Sequence, residues 1–205
     1  MLNERHTSYI RLLHAAPTAP TVNIYSDGDN LLAENLDFGE FTPYIPVQPG
    51  EYDLAINPVG AQEPVLTSTL TIPDKMIFTI AVIGTPPNLE VFVIEDTPSR
   101  TPANRLGLRF VHLSPDTPAV DVRLPNGDII FEDVDYTEVP NYLFIEPNTY
   151  SIQVYPTGTN EMALQVPNIR LKKDRFYTIY AVGLLENTPP LQVLIPLDGN
   201  SYITV

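Results

Sequence analysis

The sequence predicts an all-β protein built as two tandem immunoglobulin-like antiparallel β-sandwiches, and three observations predict it. First, one stretch occurs twice. His14-Ala15-Ala16-Pro17-Thr18-Ala19-Pro20-Thr21-Val22-Asn23 returns 98 residues later as His112-Leu113-Ser114-Pro115-Asp116-Thr117-Pro118-Ala119-Val120-Asp121, with an Arg three residues before the His in both copies (Arg11, Arg109). Second, apolar residues alternate with polar ones in short runs bounded by Pro, Gly, Asn and Asp, and no helical period interrupts them. Third, a chain of 205 residues has room for two units of about 100 residues, each able to bury a core of its own.

These signals place an N-terminal tail at 1–8, a first sandwich at 9–96, a Pro-containing linker at 97–106 and a second sandwich at 107–205. The first strand is expected at Tyr9–Ala15. In Thr21–Tyr25, Val22 and Ile24 alternate with Asn23 and Tyr25, the period of a half-buried strand, and Ser26-Asp27-Gly28-Asp29 turns the chain. Tyr52, Leu54 and Ile56 alternate in the same way, and Val65–Ile72 follows. Phe78–Gly84 is the most apolar segment and reads as a central strand, and Leu89–Glu95 closes the copy. The second copy matches segment by segment. Val120 and Val122 stand for Val22 and Ile24; Tyr150, Ile152 and Val154 stand for Tyr52, Leu54 and Ile56, all at an offset of 98. From Phe78 the offset is 99, so one residue is inserted in between. The predicted core is Val22, Ile24, Leu54, Ile56, Ile80 and Val82, with Val120, Val122, Ile152, Val154, Ile179 and Ala181. Ser201–Val205 can add a last strand. The two prolines of Thr97–Arg105 make a short, semi-rigid spacer that lets the sandwiches sit end to end.

Composition narrows the function classes. The net charge is −14. Residues 1–100 hold 13 acidic and 4 basic side chains, a charge of −9; residues 101–205 hold 12 and 7, a charge of −5. Either half would repel a nucleic acid. The one basic cluster, Arg170, Lys172, Lys173 and Arg175, reads as an exposed inter-strand loop. Cysteine is absent, which removes thiolate catalysis, thiolate metal sites and disulfides. That fits a reducing compartment and equally an exported bacterial protein that avoids thiols. Met1–His6 has no apolar core of the signal-peptide kind, and the longest apolar stretch, Met76–Ile83, is too short for a membrane span.

Four constellations are candidates for chemistry. His14 shares a strand face with Leu12 and Ile10, and His112 shares one with Phe110 and Leu108. An imidazole among apolar neighbours reads as a structural ring that clamps the following proline loop, Pro17–Pro20 or Pro115–Pro118, with Arg11 and Arg109 part of the same motif. Ser114 with His112 and Asp116 or Asp121 has the residue types of a Ser-His-Asp set, but the first copy has Ala16, Thr18 and Asn23 there, and no Gly-x-Ser-x-Gly elbow occurs. Glu34, Asp37 and Glu40 recur as Glu132, Asp135 and Glu138. Such carboxylates are the available ligands for calcium, although a solvated edge strand explains them as well. Eleven Tyr, eight Phe and no Trp allow, without signalling, stacking on a carbohydrate.

Arg109-Phe110-Val111-His112-Leu113-Ser114-Pro115-Asp116-Thr117-Pro118-Ala119-Val120-Asp121-Val122 resembles the opening signature of a bacterial domain-of-unknown-function family. That family often occurs in tandem and is often labelled a cell adhesion or cell-surface protein. Its pattern continues with a Tyr before a Pro-Gly turn, here Tyr44 and Pro49-Gly50-Glu51-Tyr52 with Tyr142 and Pro147-Asn148-Thr149-Tyr150, and with a Tyr-Thr strand ending in Gly, here Tyr177–Gly183. The resemblance spans about residues 9–96 and 107–198. It implies an immunoglobulin-like fold, the cell surface or exterior, and no catalytic residues or cofactor. The expectation is therefore a non-enzymatic surface-associated structural or adhesion protein with protein partners or self-assembly. The alternatives are a filament or coat subunit in which Met1–Ser8 or Ser201–Val205 adds a strand to a neighbour, and a calcium- or carbohydrate-binding module.

Overall fold

A computed structural model describes residues 7–96 and 100–205. The chain divides into two compact units, the first within Met1–Pro98 together with Tyr202–Val205, the second within Ser99–Ser201. The fold is all-β. The first unit contains β1 (Ser8–His14), β2 (Val22–Ser26), β3 (Asn30–Leu36), β4 (Ile45–Val47), β5 (Gly50–Pro58), β6 (Leu66–Ile72), β7 (Ile77–Thr85) and β8 (Asn88–Glu95). The second contains β9 (Leu106–His112), β10 (Val120–Arg123), β11 (Ile129–Val134), β12 (Leu143–Ile145), β13 (Asn148–Pro156), β14 (Leu164–Leu171), β15 (Phe176–Val182) and β16 (Gln192–Leu194).

Each unit is a sandwich of two four-stranded sheets. The first has the strand orders β4-β1-β7-β8 and β3-β2-β5-β6; the second has β12-β9-β15-β16 and β11-β10-β13-β14. Strand for strand these are the same order. One pairing departs from the antiparallel expectation: β1 runs parallel to β7 (Tyr9↔Ile77 to His14↔Val82), and β9 runs parallel to β15 (Phe176↔Gly107 to Ala181↔His112). A hairpin forces neighbouring strands to be antiparallel, but no hairpin joins β1 to β7, so their direction is free. The signature strand thereby sits in the interior of its sheet. It is buried on both faces: every residue of β9 is buried, and of β1 only Tyr9 is not.

All twelve predicted core residues are buried, six in each of two separate apolar clusters between the sheets. The alternation of β2 and β5 in the sequence reports this directly, because successive side chains leave a strand on opposite faces. A tyrosine locks the turn before β5. The Tyr52 hydroxyl donates to the Gln48 carbonyl at 2.7 Å, and Tyr150 does the same to Glu146 at 2.7 Å. The residue inserted in the second unit has a definite place. β13 and β14 lose register between Tyr150 and Ile152, and Asn168 bulges out with φ 59°. The equivalent β5–β6 ladder is unbroken.

The chain ends differ from expectation. Gly199–Ser201 forms a 3-10 turn and the residues after it add no strand, since they carry no ladder partner. Ser8 is already part of β1, while Met1–His6 of the expected tail and residues 97–99 of the expected linker lie outside the described residues.

Gly84 and Gly183 close the ends of β7 and β15 with φ of +83° and +94°. A Cβ at either would stand 2.3 Å from a backbone carbonyl oxygen, that of Asn88 or Pro190. Gly84→Ala and Gly183→Ala are expected to cost about 1–3 kcal/mol in denaturant unfolding, from left-handed strain plus collision. Gly28→Ala, at φ +92° but in open space, is expected to cost less.

Candidate functional site

The histidine that ends each signature strand is fully buried. In the first unit Nδ1 of His14 lies 3.3 Å from the Ala16 amide and Nε2 lies 3.0 Å from the Pro20 carbonyl oxygen. An amide only donates and a carbonyl only accepts, so the ring is neutral with its proton on Nε2. His112 repeats this, with Ser114 N–H donating to Nδ1 at 3.3 Å and Nε2 donating to the Pro118 carbonyl at 3.1 Å. The ring therefore spans the proline loop from its first amide to its last carbonyl. Pro17 is buried and Pro115 half-buried beneath that span, while Pro20 and Pro118 are exposed.

The histidine backbone holds a second loop. Gly39 N–H donates to the His14 carbonyl at 2.8 Å and His14 N–H donates to Glu40 at 3.2 Å; Thr137 N–H donates to the His112 carbonyl at 2.8 Å. The aromatic residue of that turn meets the ring edge-on, Phe38 at 6.3 Å and Tyr136 at 6.1 Å. This turn carries most of the acidic cluster. Glu34 and Glu132 lie on the edge strands β3 and β11, but Asp37, Glu40, Asp135 and Glu138 form turns rather than a strand. Glu40 and Glu138 each accept the amide three residues earlier, Asp37 at 3.2 Å and Asp135 at 3.0 Å, and the Thr21 hydroxyl donates to Asp37. All six carboxylates are exposed. Among the described residues, no group of three or more His, Asp or Glu comes together in a way that could hold a metal ion.

Asn23 and Asp121 differ in charge and do one job. Asn23 Oδ1 accepts the Asn35 amide at 2.8 Å and Asp121 Oδ1 accepts the Asp133 amide at 3.0 Å. Asn35 and Asp133 both sit at φ 51°, at the bulge where β2–β3 and β10–β11 lose register. A bulged amide has no ladder partner, and the side-chain oxygen supplies one. Burial pushes the Asp121 carboxyl up, but the Arg123 guanidinium at 2.8 Å and the Asp133 amide outweigh it, so its pKa is lowered.

Ser114 and Asp116 do not assemble a Ser-His-Asp set. His112 Nδ1 takes the Ser114 amide rather than its hydroxyl. That hydroxyl lies 2.7 Å from the Gly183 carbonyl and 2.6 Å from the Thr117 hydroxyl, while Asp116 accepts the Leu185 amide at 2.8 Å. These bonds tie the loop to the segment after β15. In the first unit β7 and β8 pair from Phe78↔Glu95 to Thr85↔Asn88, whereas β15 and β16 pair only from Tyr180↔Leu194 to Val182↔Gln192. Ser114 and Asp116 replace the lost hairpin bonds, which is why the first copy does without them.

A polar chain lies on the other face of the signature strand, and its aspartate escapes the sequence comparison. Arg11 Nε donates to Thr79 Oγ1 at 2.8 Å, Thr79 lies 3.4 Å from Asp96 Oδ2, and Tyr44 OH donates to Asp96 Oδ2 at 2.5 Å. The guanidinium lies 4.8 Å from the ring centres of Phe41 and Tyr44. In the second unit Arg109 Nε donates to Thr178 at 3.1 Å, Thr178 donates to Asp198 at 2.6 Å, Tyr142 donates to Asp198 at 2.9 Å, and the guanidinium lies 4.4 Å over Tyr142. Both Arg side chains are 3% exposed and both Asp 0%. Sequence comparison finds Arg, Thr and Tyr in both copies. It misses Asp96 and Asp198, because three further residues inserted after Gly183 shift their offset to 102. The signal available was an Asp just after the last strand segment in each copy.

His112→Ala is expected to cost about 1–3 kcal/mol, by stranding the Ser114 amide and the Pro118 carbonyl. Both imidazoles are held below their ordinary value, chiefly by burial, against the opposing pull of the backbone bonds and of Asp37 or Asp135. The unfolded chain then binds more protons than the folded one as pH falls through about 6.5, so stability is full above that pH and is lost below it. Urea midpoints taken from pH 8 to pH 5 should fall, and the fall should shrink in a variant lacking both histidines. Asp121→Asn should keep the bulge cap and lose only the Arg123 ion pair, and so cost less than Asp121→Ala in the same assay, because Asn23 shows that an amide oxygen serves the bulge.

No curated protein sequence matches the chain. Among solved structures, it is similar to a family-26 carbohydrate-binding module of Eubacterium rectale Amy13K in complex with maltoheptaose, at a TM-score of 0.30 and 10% identity over 95% of this chain and 99% of that one. Family-41 modules from streptococcal virulence factors that recognise α-glucan match at 0.29 and 11% identity over 84% and 93%. A Parabacteroides distasonis ATCC 8503 protein provisionally named a cell adhesion protein matches at 0.24 and 8% identity over 94% and 99%. Residues 8–123 match a family model, and this stretch holds both proline loops, both histidines, both bulge-capping oxygens and the complete first sandwich; the chain belongs to the domain of unknown function family DUF4397.

Proposed function

We propose that this chain is a non-enzymatic interaction protein of the bacterial surface, in which two immunoglobulin-like repeats form a rigid scaffold that presents loops and edges to a protein partner. The observation that carries this reading is the commitment of the signature residues. The two imidazoles, the bulge-capping oxygens and the Ser114–Asp116 pair are bonded to the chain's own backbone, and the Arg, Thr and Asp of the two polar chains are buried. Such groups stiffen a sandwich; a catalytic group must instead reach substrate. Among the described residues, no helix is long and apolar enough to cross a membrane.

The test is localisation in the producing bacterium. Protease shaving of intact cells, followed by detection of the protein, is expected to remove it from the surface fraction while a cytosolic marker survives. Recovery only in soluble cytosol would overturn the surface reading. Pull-down from shed envelope material with the intact two-unit protein should then enrich a discrete protein partner.

A further inference from the structure

An unguarded sheet edge distinguishes the first unit from the second. β6 ends its sheet and pairs only with β5, in unbroken register from Gly50↔Ile72 to Ile56↔Leu66. Among the described residues, 66–72 make no backbone hydrogen bond outside that ladder. The far side of β6 is thus a row of amides and carbonyls ready to template another strand. Proteins usually blunt such an edge with charge, proline or a bulge. The sequence Leu66-Thr67-Ser68-Thr69-Leu70-Thr71-Ile72 has none of these.

The same edge is blunted elsewhere in the molecule. β8, the end strand of the other sheet, carries Glu90 and Glu95. In the second unit β14 contains Pro167 and is broken at Asn168, where the extra residue bulges out. β16 is cut to three residues. The insertion that the sequence comparison detects therefore removes from one unit the open edge that the other retains.

β6 is also complementary to itself. Placed antiparallel to a second β6 about an axis through Thr69, Thr67 faces the partner's Thr71 and Thr69 faces the partner's Thr69. These three residues are exposed and share one face, and opposed threonines are a favourable cross-strand pair. On the other face, Leu66 meets the partner's Ile72, and Ser68 meets the partner's Leu70. Although the chain carries −14, no charge lies on the strand to face its own copy. We infer that two copies of this chain pair through β6, edge to edge and antiparallel, joining β3-β2-β5-β6 of each into one eight-stranded sheet. With β14 blocked, the pairing closes at a two-fold dimer instead of running on as a fibre. This inference does not depend on surface location.

The test is sedimentation equilibrium of the full chain over a range of concentrations, at low and high salt. The wild type is expected to dimerise, and more tightly at high salt, because screening relieves the repulsion between two acidic copies. T67K/T71K places lysine opposite lysine at both ends of the pairing and should weaken the dimer about tenfold or more. T67K/T71E places lysine opposite glutamate and should recover most of that loss. Both substituted side chains, Thr67 and Thr71, are exposed, so thermal melts of the variants check that the monomer fold is intact. A wild type that stays monomeric throughout overturns the inference. So does a T67K/T71K variant that dimerises like the wild type, or a T67K/T71E variant no tighter than T67K/T71K.

Discussion

A neutral imidazole bonded to backbone at both nitrogens is the constraint on which each unit depends. The Pro-rich loop that follows β1 or β9 cannot continue as a ladder, since its prolines lack the donor. Packed against the buried ring, the Ala16 or Ser114 amide and the Pro20 or Pro118 carbonyl would each be costly without a partner. Only histidine offers a donor and an acceptor at opposite ends of one compact, neutral ring. Because the same residue also bonds the Asp37–Glu40 or Asp135–Glu138 turn through its backbone, one position fixes two loops at the same end of the sandwich. The lowered pKa is the electrostatic face of this arrangement: a second ring proton would point Nδ1–H at an amide that can only donate.

The opposite face of the same strand solves a harder problem. A guanidinium with 3% exposure is tolerated only where hydrogen bonds and π faces replace its water. The parallel pairing of β1 with β7 makes this possible. It sets Arg11 beside Thr79 and Arg109 beside Thr178 in register, so the hydroxyl reaches both the guanidinium and the Asp carboxylate. The departure from an all-antiparallel sandwich and the buried charge chain are thus one feature seen at two levels.

Where the two units differ, the differences compensate one another. The first keeps a full β7–β8 hairpin and places small Ala16 in the proline loop. The second gives up most of that hairpin and ties the segment after β15 to the proline loop with Ser114 and Asp116. The first leaves β6 smooth; the second breaks β14 with a bulge. A scaffold with one open edge and one guarded edge can make a directed contact, where two open edges would invite open-ended aggregation.

The sequence by itself determined the all-β class, the strand alternation and the two cores, because a period of two leaves one face for the interior and a turn chemistry of Pro, Gly and Asn leaves little freedom at the ends. It also marked the histidines and arginines, since a doubled residue among changing neighbours has to serve what both copies share. Tertiary structure alone decided the partners. That β1 runs parallel to β7, that Asn23 and Asp121 cap equivalent bulges, and that Asp96 and Asp198 complete the buried chains all depend on strands brought together from far apart in the chain. The charge difference at Asn23 and Asp121 and the offset of 102 at the aspartates hid these equivalences in the linear string. The hydrogen bond each group makes depends on oxygen position in space, and spacing along the chain does not record it.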